Sequence, residues 1–258
     1  MIVIIPVLIA IFGIITFTTS IISTSALENQ AQKNANLLSH SYSSQLDSTI
    51  KLYFSISQDL GSATITAINI ETTLQALRKQ HPQFVNVFYT PVTGKILEMA
   101  PYEPKYADFD LKPMKAWQKA FATKSPAMSV PGKYFGVKSV IIFAPAVLSY
   151  VANQEPEVVG MVALVCPLED LFQEIKNITI GNTGSLFIID EKGLFLHHRQ
   201  EERILTDNLT TFSSIPSLAK TAQAMIHQKT GFATYSDNNE RKYISFSPIS
   251  TVKAQDQK

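Results

Sequence analysis

The apolar positions of this chain change period along its length, and each change marks an expected boundary. Residues 2–15 are apolar throughout, counting Pro6 and Gly13, and no ionisable side chain occurs from Met1 to Leu27. Extended to Ile22, the run makes a helix about 30 Å long, the thickness of a bilayer core. Residues 1–22 are therefore expected to form a transmembrane anchor. Pro6 falls in the first turns, where a missing amide donor does least harm. A cleaved signal peptide would bring a basic start, a shorter apolar stretch and a small-residue cleavage site. No Lys or Arg precedes this run, and Ser23-Thr24-Ser25-Ala26 makes a poor site. The first basic residue is Lys33, so loop charge sets no orientation.

A helical period follows. Leu27, Ala31, Leu38, Tyr42, Leu46, Tyr53, Ile56 and Leu60 recur at spacings of three, four or seven, among polar positions such as Glu28, Lys33, Asp47 and Lys51. No proline interrupts residues 20–81, so a long stalk helix is expected over 23–81. Its last piece, Ile70–Gln80, should end before His81-Pro82, because the residue before proline is pushed away from helix. The stripe needs a partner, which the folded domain or a second copy of the chain would supply.

Beyond residue 82 the period falls to two. Phe84 to Tyr89 reads as a strand, Thr90 to Gly94 as a turn, and Lys95 to Met99 as a returning strand. Asp110 to Thr123 reads as a short helix, followed by strands at Ser139 to Val147 and Val158 to Cys166 across a polar loop at 153–157. Leu168 to Ile175 connects. The order then restarts: strand Ser185 to Ile189, turn Asp190 to Gly193, strand Leu194 to His197, helix Ile215 to His227, and strands Gly231 to Tyr235 and Tyr243 to Phe246 about a turn at 237–240. The expected class is α+β, with two tandem antiparallel-sheet modules at 82–167 and 168–258. Thr251 to Lys258 carries no strand pattern, so the second module is expected to be truncated there.

Composition narrows the function. The 258 residues carry 22 basic and 21 acidic side chains, a net charge of +1, which supplies no basic face for nucleic acid. The single cysteine, Cys166, excludes an internal disulfide framework and a cysteine-cluster metal site, and it reads as a small buried thiol. His197 and His198 are adjacent on a strand and point to opposite faces, so they do not share a metal ion. Glu169-Asp170 and Glu201-Glu202 read as solvated charges, and the glycines form no phosphate-cradling loop. No metal, no cofactor and no enzyme activity are expected from these residues.

The segment Gly184-Ser185-Leu186-Phe187-Ile188-Ile189-Asp190-Glu191-Lys192-Gly193-Leu194-Phe195-Leu196-His197-His198 resembles a pattern of the double CACHE (dCACHE) sensor family: Gly, a hydrophobic strand ending in Asp, a turn Gly, then a strand ending in His-Pro. Here His198 takes the histidine place and Arg199 replaces the proline. Phe109 to Trp117 resembles the family's Asp, Arg and Trp-Tyr motif, and Val159 to Val165 its closing strand. Order and spacing agree from about Ser25 to Ile249.

The resemblance implies two PAS-like modules on a long helix. The first would lie far from the membrane and hold the ligand pocket, the second near it. It also implies an extracytoplasmic sensor region of a bacterial inner- or cytoplasmic-membrane receptor, working as a homodimer and feeding a chemotaxis, kinase or cyclic-dinucleotide output. Amino-acid-binding members use an arginine for the ligand carboxylate and an aspartate for its ammonium. Lys115 stands at the arginine place and Val165 at the aspartate place, while Gln118 follows Trp117. A lysine still pairs with a carboxylate as a point charge, but valine holds no ammonium. The expected ligand is an anion without an amine, such as an organic acid, held by Lys115, Trp117, Tyr134 and Tyr89. For each of these residues a packing or solvent-facing role competes. A membrane-anchored binding or adhesion module without output is the alternative function.

Overall fold

The computed structural model describes residues 4–66, 69–148, 157–180, 184–211, 215–227, 230–237 and 240–250, without side chains for 4–25, 63–66 and 148. The chain divides into two compact units, Ser44–Phe212 with Ile249–Lys258, and Met1–Ser43 with Ser213–Pro248.

Helix α1 (Ile4–Thr66) runs for 63 residues, and after Pro6 in its first turn no proline interrupts it. Helix α2 (Ile70–Gln80) starts at Asn69, whose side chain accepts the Thr72 amide, and stops before Pro82. In the larger unit Leu46, Ile50, Tyr53, Ser57 and Leu60 are buried, a stripe at alternating spacings of four and three. Tyr53 meets Phe84 edge-on at 5.4 Å between ring centroids. The helix lies close against the sheet at Gly61, where a Cβ would lie 2.6 Å from the Pro145 carbonyl oxygen.

The larger unit is built on strands β1 (Asn86–Pro91), β2 (Glu98–Ala100), β3 (Ala127–Met128), β4 (Gly132–Tyr134), β5 (Val137–Leu148) and β6 (Glu157–Pro167). They form one antiparallel sheet in the order β2-β1-β6-β5-β3, with β4 also on β5. Strands β5 and β6 are apolar at nearly every position because both faces of the sheet are covered. Phe88, Ile141, Phe143, Met161, Ala163 and Val165 share one face with helix α3 (Lys115–Thr123). Val87, Ile142, Ala144, Val162 and Leu164 alternate to the other face, where Gly61 of α1 approaches Ala144. Enclosing one Phe or Leu side chain contributes about 1.5–3 kcal/mol. β3 and β4 carry no alternation long enough to read from sequence.

Helix α4 (Leu168–Leu171) leads to β7 (Thr179–Ile180) and β8 (Gly184–Ser185), which pair with each other. β9 (Ile188–Ile189) pairs with β10 (Phe195–His197) across a register shift. The single strand expected at Ser185 to Ile189 is thus two pieces with different partners. In the smaller unit, α5 (Pro216–His227) precedes the hairpin of β11 (Gly231–Asp237) and β12 (Glu240–Phe246). That hairpin is tied to α1 by the Tyr243 hydroxyl donating to Glu28 at 2.8 Å and Ser245 donating to Asn36 at 2.6 Å.

One turn geometry occurs twice. Gly94 and Gly193 both have φ near +88°, and each donates its amide to the residue three back, Pro91 or Asp190. Leu111 then donates to the Gly94 carbonyl and Leu209 to the Gly193 carbonyl. Asp110 and Asn208 complete the pattern by accepting the amides of Lys112 and Thr210, each at 2.9 Å.

Among the described residues no helix is long and apolar enough to cross a membrane. The expected anchor, residues 1–22, lies outside the described side chains. The expected truncation at 251–258, most of the polar loop at 153–157 and the centre of the 237–240 turn also lie outside the described residues.

Candidate functional site

The α3 face of the sheet gathers the aromatic residues singled out in the sequence motif. Trp117 is 2 % exposed, in the core with Phe88, Phe143 and Val165. It stacks on Phe121 at 5.3 Å, and its indole N–H reaches the Thr90 hydroxyl oxygen at 3.4 Å. The buried indole thus has a polar partner, as such a group requires. Lys115 opens α3 with an exposed side chain and, among the described residues, no ion-pair partner. Met114, before it, gives no side-chain cap, so the first-turn amides of α3 lie without one. Lys112 places its ammonium 6.0 Å from the Trp117 ring centroid.

Tyr134 borders the same core, half-buried, with its ring folded over Gly132 and its hydroxyl donating to the Val130 carbonyl at 2.9 Å. Beside it Phe135, with φ +50°, lies 4.5 Å from Phe88 and meets Tyr106 and Phe109 edge-on at 4.8 and 5.4 Å. This aromatic cluster was not read from the sequence. The adjacent Phe135-Gly136 pair, a bulky residue entering a turn, was its only signal.

Tyr89 does not join Trp117. Strand alternation puts Phe88 and Thr90 on the α3 face and Tyr89 on the other, where its hydroxyl comes within 2.6 Å of a Cβ built on Gly160. The expectation that Tyr89 walls the same cavity as Trp117 is therefore corrected by the strand register. Burial raises the Tyr89 hydroxyl above its ordinary value. Val165, at the place of the family's ammonium-binding aspartate, is fully enclosed on the α3 face and offers no charge there.

Elsewhere in the larger unit a cavity of about 510 Å3 is lined by residues of β5, of the α4 segment and of the stretch 196–204. None of the four expected residues lines it. His197, considered in the sequence only as a metal ligand, does, and among the described residues no three His, Cys, Asp or Glu side chains are placed to hold a metal ion.

Known proteins place this arrangement. No curated protein matches the sequence. Solved structures match its fold. The extracellular domain of the candidate histidine kinase mmHK1S-Z2 aligns at TM-score 0.64 and 17% identity over 86% of this chain and 94% of its own. The ligand-binding domain of the Pseudomonas aeruginosa PAO1 amino-acid chemoreceptor PctB, in complex with L-Arg, aligns at 0.63 and 17% over 84% and 88%. That of the Pseudomonas fluorescens chemoreceptor CtaA, in complex with L-isoleucine, aligns at 0.63 and 16% over 88% and 89%. The Cache domain model dCache_1 matches residues 23–256. With nearly the whole chain inside that match, this protein belongs to the dCache_1 family of extracellular ligand-binding sensor domains.

Proposed function

We propose that this chain is the small-molecule-sensing region of a bacterial transmembrane receptor. Residues 1–22 form the anchor, 82–167 the membrane-distal module and 168–258 the membrane-proximal one. The ligand lies under α3 and is a small organic acid without an amine. One observation carries the ligand class: Lys115 stands exposed, without an ion-pair partner among the described residues, at a start of α3 that no side chain caps, while Val165 is buried where an ammonium would need a carboxylate. A helix start favours an anion, and the lysine adds a full charge to it. Trp117 and Tyr134 supply apolar walls. Tyr89, on the opposite face, influences the site only through its strand.

The chain works as a binding protein and not as an enzyme in this reading, in the cytoplasmic membrane with the sensor outside. Homodimerisation belongs to the same proposal, and exposed apolar residues of α1 support it. Leu27, Leu37 and Leu52 are 68, 70 and 56 % exposed, apolar surface that a twin helix would cover. Cysteines at positions 31 or 38 are expected to cross-link between chains in membranes; failure at every stripe position in folded protein would remove the dimer.

The ligand is tested by calorimetry on the full chain in detergent, with a panel of carboxylates and amino acids. Losing a charge-assisted hydrogen bond costs about 1.5–3 kcal/mol, so Lys115→Met should weaken an organic acid roughly ten- to a hundredfold. Tight binding of an α-amino acid, or affinity untouched by that change, would overturn the ligand class.

A further inference from the structure

The 510 Å3 cavity has the size of a small-molecule site and lies away from α3. Its polar feature is His197. The side chain is 7 % exposed, and among the described residues its one ring contact is Phe172, at 6.0 Å between centroids. No described residue hydrogen-bonds to it, and yet no buried side-chain nitrogen among the described residues is sealed away without a partner. The ring nitrogens therefore open on the cavity that His197 lines. A nearly enclosed imidazole without a protein partner is free to hydrogen-bond whatever enters the cavity.

The charges around it favour one sign. Lys138, Lys176 and Arg199 line the cavity against Glu169 and Glu201, three cations to two carboxylates. Lys176 pairs with Glu169 and lies 3.4 Å from Glu201, and the Lys138 ammonium donates to the Glu201 carbonyl at 2.9 Å. Arg199 has no ion-pair partner among the described residues. It stands where the family motif carries proline, so this feature belongs to this chain. The remaining wall includes Leu196 and Ile204.

We infer that this cavity is a second ligand site, which takes a small carboxylate with an apolar body. The His197 N–H and the Arg199 guanidinium hold the carboxylate, and the body lies against the apolar part of the wall, which includes Ile204. Burial, then the charges of His198 and Lys176, keep His197 below its ordinary value, so near neutral pH it offers one N–H and carries no charge. The site does not rest on the α3 reading and stands if that reading fails.

Benzoate serves as the probe and benzamide as its neutral match, with the full chain in detergent micelles. NMR of 15N-labelled histidine, titrated with the probe, gives both location and affinity at His197 and His198, which line the cavity, so that benzoate bound under α3 does not enter the reading. Benzoate should move the ring-nitrogen signals of His197, and benzamide should not. Arg199→Gln, at an exposed position, should weaken benzoate roughly ten- to a hundredfold, and His197→Phe should do so at least as strongly. The benzoate titration of the His197 ring-nitrogen signals should be the same in Lys115→Met, which separates this site from the one under α3. If His197→Phe fails to fold, Arg199→Gln still decides. Read at the histidine ring nitrogens of the cavity, unmoved His197 signals, equal response to benzamide, full affinity in Arg199→Gln, or a weakened response in Lys115→Met would each overturn the inference.

Discussion

The two glycine turns at Gly94 and Gly193 have the same φ and the same hydrogen bonds, but they lead into very different surroundings. The first leads from β1 toward β2 in a six-stranded sheet, where Phe88, Phe143 and Met161 are fully enclosed. The second joins β9 and β10, a two-stranded pair whose Ile188 and Ile189 are only half-buried. The turn is therefore local chemistry, written in a glycine and an Asp or Asn fifteen or so residues later. How much sheet gathers around it depends instead on the long apolar strands β5 and β6. The largest effect should come from that difference. Phe143→Ala empties an enclosed site and should cost about 3–5 kcal/mol. Phe232→Ala, in the half-buried β11–β12 hairpin, should cost less than half as much. Urea denaturation followed by circular dichroism compares the two, with fluorescence of Trp117, the only tryptophan, reporting the large sheet. Equal losses would dissolve the distinction between a sheet covered on both faces and an open hairpin.

The turns themselves should differ next. A Cβ on Gly94 would lie 2.4 Å from the Lys112 Cβ and 2.9 Å from the Lys112 backbone nitrogen. On Gly193 the nearest atoms are the side-chain Asn208 Oδ1 and Thr210 Cγ2, both at 2.7 Å, with backbone no closer than 3.4 Å. Side chains can move aside where backbone cannot. Both glycine-to-alanine changes force a residue with Cβ into positive φ, a strain of about 1–3 kcal/mol. Gly94→Ala should lie toward the upper end and Gly193→Ala toward the lower, in the same denaturation experiment. The reverse order would mean that the second turn is the stiffer one.

Much of this was legible before any coordinates. The proline-free run and the His81-Pro82 stop give α1 and α2, and the doubled strand–turn–strand order gives both glycine turns, because each rests on local residue chemistry. Three features rest on contacts distant in sequence. Ser185 to Ile189 reads as one alternating strand, yet its halves pair with Thr179–Ile180 and Phe195–His197, which no local pattern announces. Tyr89 looked like a pocket wall until the register set it on the face away from Trp117. His197 had the sequence setting of a strand residue, and only the fold brings it to a cavity with Lys138 and Lys176.

A smaller contrast lies in the residues that tie the turns. Asp110 accepts one described hydrogen bond there, from the Lys112 amide. Asn208 accepts from the Thr210 amide at 2.9 Å and the Thr210 hydroxyl at 2.6 Å, and its own amide donates to the Lys192 carbonyl at 2.8 Å. At about 1 kcal/mol for a net hydrogen bond, Asp110→Ala should cost about 1 kcal/mol and Asn208→Ala about 3 kcal/mol. Asn208→Asp keeps the acceptor and removes the donor, so its unfolding midpoint should fall between wild type and Asn208→Ala. A midpoint for Asn208→Asp at or below that of Asn208→Ala would show that the carbonyl tie to Lys192 is the one that matters.

The weakest expected difference is a response to acid. His197 and His198 both sit below the ordinary histidine value of 6.5, chiefly through burial, with the Arg203 charge adding to it at His198 and the His198 and Lys176 charges at His197. In the unfolded chain both take up protons first as pH falls. Their contribution to stability is therefore complete above 6.5 and is lost as pH drops through their folded values. The groups shifted on the large sheet act elsewhere: burial first, then nearby Cys166 and acidic charges, push Tyr53 up to about 12. Tyr53 matters only above its unfolded value of 10.0. Glu103 is held down by Lys105, below the usual carboxylate value of 4.5. Between pH 6.5 and 5, hydrogen-exchange protection, taken relative to the intrinsic rate at each pH, should therefore fall in peptides from 184–211 while peptides from 137–148 keep theirs. His198→Gln should remove part of that response without touching the large sheet. A parallel fall in both segments would show that acid acts on the whole fold and that the two histidines do not set the second turn region apart.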